Sequence, residues 1–255
     1  MLSKNFNYLT LLIFSLVNLA ASANAANLAP SCWDEKTADT TYHICKVDPL
    51  LADIRVYNEG ADGTPLRSFD SLIAQLAKEG RSLLFATNGG MYEHDLSPVG
   101  LFVSQGITRK PATTLDGWGN FFLKPNGVFY LKDGKAAVME TQHFLNLAIQ
   151  PEYATQSGPM LVVDGTIHPR FLPDSDSLKI RNGVGVDQNG QVLFAISNAP
   201  VRFYDMAVFF RDQLATPNAL FLDGTISSIA EPASGRIDRD YPLGTIIAVI
   251  GDAQQ

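Results

Sequence analysis

Cysteine and histidine are scarce in this 255-residue chain. Cys32 and Cys45 are the only two cysteines, and the four histidines, His43, His94, His143 and His168, are scattered. The cysteine spacing is not that of a CxxC motif and no histidine cluster accompanies it, which weighs against a redox or metal role. Charge is sparse too: 18% of residues are charged, the net charge is −7 and the pI is near 5.0, with no long basic run, so the electrostatic footprint of a nucleic-acid binder is missing. Beyond the first residues no stretch is long and apolar enough to span a bilayer. P-loop, HExxH and GxSxG motifs are all absent, which removes the commonest phosphate-cradling, zinc-protease and serine-hydrolase readings.

What is present begins with Lys4, an apolar run from Tyr8 to Ala21, and Ala23-Asn24-Ala25. A cation, an apolar core shorter than the ~20 residues of a membrane span, and a small-x-small site form a secretory signal peptide. Cleavage is expected after Ala25, leaving residues 26–255 as one domain of about 230 residues. The expected address is the periplasm, with secretion as the alternative. In an exported chain, Cys32 and Cys45 are expected to form a disulfide, contributing on the order of 3 kcal/mol if unstrained; two buried thiols are the alternative. Nothing in the sequence specifies an oligomer.

Hydrophobic residues make up 46% of the chain, ample for a core. Ser68–Glu79 is the clearest helix: Phe69, Leu72, Ile73 and Leu76 recur at helical spacing, Ser68 can cap the start and Gly80 suits the end. Short helices are also expected over Phe144–Ile149 and Asp205–Leu214. Strands are expected at Thr41–Val47, Asp53–Tyr57, Leu83–Thr87, Pro98–Ser104, Gly119–Lys124, Ala219–Leu222 and Leu243–Ile250. Asp133-Gly134, Asp164-Gly165 and Asn189-Gly190 punctuate three hairpins. Many hairpins and few helices predict an α+β fold, with a mixed, mainly antiparallel sheet core and a few covering helices.

Four stretches share one build, an apolar run meeting small and polar residues. They are Leu83–Met91 ending Asn88-Gly89-Gly90-Met91, Gln156–Gly165 with Ser157-Gly158-Pro159, Ile180–Val186, and Leu220–Ser228. In the last, a buried strand delivers Asp223 to a sheet edge, and Gly224 leaves open space beside the carboxylate. The four are expected to converge on one pocket. Asn88 and Ser157 are placed to hydrogen-bond a polar ligand, Gly89, Gly90 and Gly158 allow close backbone approach, and Ser227 and Ser228 either bind ligand or cap the turn. Glu93 and His94, in the polar loop Tyr92–Ser97, are candidates for a second acid or base, against the alternative of a solvated loop. Asp223 itself has the alternative of merely starting a turn.

In their order, Asn88-Gly89-Gly90-Met91, Ser157-Gly158-Pro159 with Asp164-Gly165, Arg181-Asn182-Gly183-Val184-Gly185-Val186 and Leu222-Asp223-Gly224 with Ser227-Ser228 resemble the phosphodiester glycosidase family. Its members include an animal enzyme that removes N-acetylglucosamine from a phosphodiester on lysosomal glycoproteins. The resemblance runs from roughly Arg55 to Ile250. One departure stands out: Thr225 and Ile226 occupy positions where the family usually carries glycines, which bears on the substrate more than on the fold.

The resemblance implies an exported hydrolase that cleaves a glycosyl phosphodiester or related glycosidic bond in envelope or extracellular carbohydrate. A phosphate monoester leaves readily, so charge stabilisation matters more than protonation, and the planar fork of Arg181 would hold two phosphate oxygens. A structural pairing of Arg181 with a carboxylate is the alternative. Asp223 would act near the anomeric carbon as nucleophile or as base for water, since the transition state resembles an oxocarbenium ion. No cofactor is demanded; calcium or magnesium would need oxygen ligands, and no EF-hand-like spacing supplies them. Two rival readings remain open: a non-catalytic carbohydrate- or envelope-binding protein, and a metal-dependent phosphodiesterase.

Overall fold

A computed structural model describes residues 29–253. The stretch expected to be a signal peptide, with its expected cleavage site, lies outside the described residues. Three antiparallel sheets make up the fold. The largest has seven strands in the order Ser31–Lys36, Thr41–Val47, Val192–Ser197, Asn182–Val186, Asn218–Phe221, Met160–Val163, Thr166–Ile167. The second runs Arg236–Ile237, Ile229–Glu231, Arg81–Asn88, Ile246–Asp252, Asp53–Tyr57, and the third Ile107–Lys110, Phe102–Ser104, Tyr153–Ser157, Gly127–Lys132, Lys135–Glu140.

The period-two alternation of the strands explains how the sheets assemble. One set of side chains points to a shared interior. Val184, Phe194 and Leu220 come from the first sheet, Val56, Phe85 and Ile247 from the second, and Phe129, Leu131 and Val138 from the third. Phe194 touches across both junctions, with ring centroids 5.3 Å from Phe85 and 6.1 Å from Phe129. Each large apolar side chain buried this way stabilises the fold by roughly 1.5–3 kcal/mol.

The opposite set points outward and is covered by helices. Phe203–Val208 packs Met206 and Ala207 against the first sheet, with Phe209 and Phe210 continuing the contact. Phe69–Lys78 packs Phe69, Leu72 and Leu76 against the second, and Thr141–Asn146 packs Phe144 against the third. The architecture is therefore α+β, with antiparallel sheets inside and few helices outside.

Local sequence accounts for most boundaries. Ser68 accepts a hydrogen bond from the Ser71 amide at 3.2 Å and starts the first helix where expected. The three expected hairpins form, and Asp133, Gly134, Asp164, Gly165 and Gly190 all adopt positive φ in their turns. Three expectations need correction. Gly119–Lys124 is not a strand: Asn120–Phe122 forms a 3-10 turn whose Phe121 is buried. The helix expected at Phe144–Ile149 lies instead at Thr141–Asn146, because the Glu140 carboxylate accepts from the Gln142 and His143 amides and fixes an earlier start. The helix expected from Asp205 begins at Phe203, where the Asp205 carboxylate accepts from the Arg202 amide, and its last turn, Phe209–Gln213, is a π-helix.

Cys32 and Cys45 are bonded as a disulfide between directly opposed positions of the first two strands. Among the described residues no helix is long and apolar enough to cross a membrane.

Candidate active site

The site forms where the strand Arg81–Asn88 of the second sheet meets the strands Asn182–Val186 and Asn218–Phe221 of the first. Alternation places Asn182 and Val184 toward the interior and Arg181 toward the outer layer. The Asn182 amide donates to Asn88 Oδ1 at 2.8 Å and to Thr87 Oγ1 at 2.9 Å, while its Oδ1 accepts from the Ser227 hydroxyl at 3.1 Å. Asn88 is fully buried; its Oδ1 also accepts from the Ser228 amide at 2.9 Å, and its Nδ2 donates to the Asp223 carbonyl at 3.0 Å. Every hydrogen-bonding arm of Asn88 therefore bears on the segment that carries Asp223 or on Asn182.

Asp223 stands just past the end of its strand and caps the 3-10 turn Gly224–Ile226, its Oδ1 accepting from the Thr225 amide at 3.3 Å. The side chain is half-buried and has no ion-pair partner among the described residues. Burial pushes its pKa above the usual carboxylate range, with the Thr225 amide opposing that rise. The Asp223 charge also bears on Tyr92: burial, then that charge, raise the phenol pKa, and the hydroxyl donates to the Pro242 carbonyl at 2.7 Å.

The glycines are fitted to close approach. A Cβ on Gly90 would sit 2.1 Å from the Gln156 carbonyl oxygen, and one on Gly158 would sit 2.7 Å from the Phe121 carbonyl. The open space expected beside Asp223 at Gly224 is not there: Gly224 is buried under the Phe221 ring, which fills the place of a Cβ, and Gly89 packs on Thr245. The Pro159 carbonyl accepts from the Phe221 amide at 3.1 Å, which ties the Ser157-Gly158-Pro159 segment to the Asp223 strand. The four sequence stretches thus meet at one place.

Individual residues fall differently within it. Asn88, Gly89, Gly90, Gly158, Asp223, Gly224, Ser227 and Ser228 are brought together. Ser157 is fully buried and its hydroxyl has no partner, as is the case for Thr245. Glu93 and His94 lie exposed on the loop after Tyr92, outside the Asn88–Asn182 network. Arg181 is 2% exposed, donates from Nε to the Val201 carbonyl at 2.9 Å and from Nη2 to the Ser177 carbonyl at 3.0 Å, and lies 3.6 Å over the Phe203 ring. Burial lowers its pKa to about 10, offset in part by the Asp205 charge. It makes no ion pair among the described residues, so the carboxylate pairing weighed from sequence is absent; its Nε and Nη2 are held by loop carbonyls. Asn182 and Tyr92 were missed as individual site residues. The alternation of its strand singles out Asn182, whereas Tyr92 meets Asp223 only through the fold.

Residues 81–246 match the phosphodiester glycosidase family. The uncharacterised protein YigE of Escherichia coli K12 is 34% identical over 203 residues, covering 80% of this chain and 79% of YigE. Among solved structures, the catalytic domain of zebrafish N-acetylglucosamine-1-phosphodiester alpha-N-acetylglucosaminidase, auto-inhibited by its pro-peptide, superposes with a TM-score of 0.61 at 17% identity, covering 86% of this chain and 81% of that one. A hypothetical protein from Synechocystis superposes at 0.55 with 13% identity, over 87% of this chain and 61% of that one. The family match supports a glycosidase-type hydrolase. The chain belongs to the phosphodiester glycosidase family.

Proposed function

We propose that the protein is an exported hydrolase that cleaves the bond between the anomeric carbon of a sugar and a phosphodiester oxygen, with Asp223 as the carboxylate facing that carbon. The observation that carries this reading is the state of Asp223: half-buried, without a cationic partner, and more basic than an ordinary carboxylate because of its burial. A carboxylate neutralised by an ion pair is a poor base or nucleophile; one held by backbone contacts alone keeps its charge for an oxocarbenium-like transition state. The leaving phosphate monoester requires little protonation, so a second strong acid is not essential.

Around Asp223 the proposed contact to sugar or phosphate is the half-buried Ser227 hydroxyl; Gly89, Gly90 and Gly224 are packed against Thr245, Gln156 and Phe221, and their role is to let the backbone beside Asp223 close up. Ser228, through its backbone amide, and Asn88 act by holding the turn. Ser157 and Gly158 shape the floor beneath it, and Glu93 and His94 are assigned to the rim, where they meet the outer part of a substrate. Arg181 is assigned as a positioning residue: it ties the Ser177 loop to Val201 and the Phe203 helix, in place of gripping phosphate directly. Of the two residues that replace the family's glycines, the exposed Thr225 narrows the approach to Asp223 and selects the substrate, while Ile226 anchors the turn in the apolar cluster with Leu72 and Ala230. The proposed chemistry needs neither calcium nor magnesium, and the disulfide fits an oxidising compartment outside the cytoplasm.

The test is turnover of a panel of sugar-1-phosphodiesters, beginning with N-acetylglucosamine-1-phosphate esters, by the parent protein and by Asp223→Asn, with and without chelator. Free sugar released by the parent, unaffected by chelator and lost in Asp223→Asn, is expected. Ligand binding without turnover, indifferent to Asp223→Asn, would instead identify a carbohydrate-binding protein, and loss of turnover with chelator a metal-dependent phosphodiesterase.

A further inference from the structure

The disulfide lies beside an unusual set of neighbours. His43, two residues before Cys45 on the same strand and the same face, has its Nδ1 2.7 Å from Asp34 Oδ1 and its Nε2 3.1 Å from Glu231 Oε2. Cys45 Sγ is 3.6 Å from the same Nε2. Glu231 comes from the second sheet, 188 residues from His43, and His43 is its carboxylate's hydrogen-bonding partner among the described residues. Ligand atoms of Cys32, His43, Cys45 and Glu231 all lie within 4.8 Å of one another.

Beneath them, a cavity of about 10 Å³ is bounded by His43, Cys45, Thr87 and the apolar Phe85, Phe194, Ala195, Ile196 and Ile229. That is room for one small sphere. Apart from His43, Cys45 and Thr87 the walls are hydrocarbon.

We propose that reduction of the Cys32–Cys45 disulfide opens a binding site for a divalent cation of the zinc class, held by the two sulfurs, His43 Nε2 and Glu231 Oε2. A tetrahedral zinc ion with ligands at about 2.0–2.3 Å sets its donor atoms about 3.3–3.8 Å apart, so the present cluster needs only small movements once the sulfurs separate. Cys32 and Cys45 are directly opposed across two paired strands, which keeps both thiols at the site after the bond is broken.

Asp34 supplies what a histidine ligand needs. By accepting the Nδ1 proton it orients the ring and directs the Nε2 lone pair at Glu231 and Cys45, the carboxylate–histidine–metal arrangement. In the disulfide form Nε2 and Glu231 Oε2 face one another across 3.1 Å, and in the reduced form the cation would sit between them.

The chemistry balances with a dithiol as reductant. Its two sulfurs become a disulfide, and the Cys32–Cys45 bond takes up two electrons and two protons to give two thiols. Cation binding then releases both thiol protons to solvent, the cysteines binding as thiolates and His43 as the neutral imidazole. The site is independent of the glycosidase reading, although Thr87 forms part of its wall and also accepts from Asn182.

The test is zinc retained per chain after desalting, with and without prior phosphine reduction, for the parent, His43→Ala, Glu231→Gln and Asp34→Ala. About one zinc is expected on the reduced parent and none on the oxidised form. Affinity should fall at least about tenfold in His43→Ala and Glu231→Gln, and about 10–100-fold in Asp34→Ala. Cobalt in place of zinc should give thiolate charge-transfer absorption in the reduced parent. Equal zinc in both redox states, or unchanged affinity in His43→Ala and Glu231→Gln, would overturn the proposal. If reduction alone unfolds the chain, recovery of near-ultraviolet dichroism with one equivalent of zinc in the parent but not in His43→Ala supports the site, and no recovery overturns it.

Discussion

The side-chain amide of Asn182 donates to that of Asn88 across 2.8 Å, and this bond, with its companion to Thr87 Oγ1 at 2.9 Å, joins the two sheets that meet at Asp223. Asn88 passes the constraint on through the Asp223 carbonyl and the Ser228 amide. The pair sets where the carboxylate stands, and neither residue needs to touch substrate to do so.

Removing either partner leaves buried polar groups unsatisfied. Asn88→Ala strands the Ser228 amide and one donor of Asn182, leaves the Asp223 carbonyl with the Ile226 amide alone, and is expected to cost about 2–3 kcal/mol by chemical denaturation. Turnover should fall with it. The double variant Asn88→Ala/Asn182→Ala should lose less than the sum of the single variants, because the two act through one network. Additive losses would show that they act separately.

Asp223→Asn separates stability from activity. Because the folded-state pKa of Asp223 is raised, its charged form is penalised by folding, and this penalty is present at neutral pH. The neutral amide escapes it and still accepts from the Thr225 amide. The Tm of Asp223→Asn is therefore expected above the parent's at neutral pH, with the advantage shrinking as pH falls through the raised folded pKa toward the ordinary carboxylate value of about 3.9. Turnover should drop on the order of 10²–10⁴-fold. A lower Tm across this range would mean that the carboxylate is structural.

The same shift predicts the acid limb of the pH profile. If Asp223 works as base or nucleophile, kcat/KM should fall as pH drops through a pKa above the usual carboxylate range. A profile flat down to the ordinary carboxylate value would remove Asp223 from that role.

Arg181 offers a test of position against contact. Arg181→Met loses the hydrogen bonds to Val201 and Ser177 while keeping apolar bulk against Phe203. A positioning role predicts faster hydrogen exchange over residues 169–180 and a stability loss of about 1–3 kcal/mol, with kcat and KM changing together. Unchanged exchange with a selective rise in KM would return Arg181 to the phosphate.

Much of this was legible in the sequence where neighbours in space are neighbours in the chain. The Ser68 cap, the periodicity of Phe69, Leu72 and Leu76, and the Asp-Gly and Asn-Gly turns are all local, and each predicted its element. The short helix starting at Thr141 was displaced because its cap, Glu140, carries more weight than the apolar pattern after it. Convergence of the Asn88, Ser157, Asn182 and Asp223 segments was readable from their shared build. The direction of Arg181 follows from strand parity, but only after the register of Asn182–Val186 is known. Contacts spanning the chain, such as Tyr92 with Pro242 and His43 with Glu231, leave no local trace.

The most direct measurement is hydrolysis of a sugar-1-phosphodiester in oxygen-18 water, followed by mass analysis of both products. Attack at the anomeric carbon predicts label in the released sugar and none in the phosphate monoester. Label in the phosphate would place the attack at phosphorus and contradict the role given to Asp223.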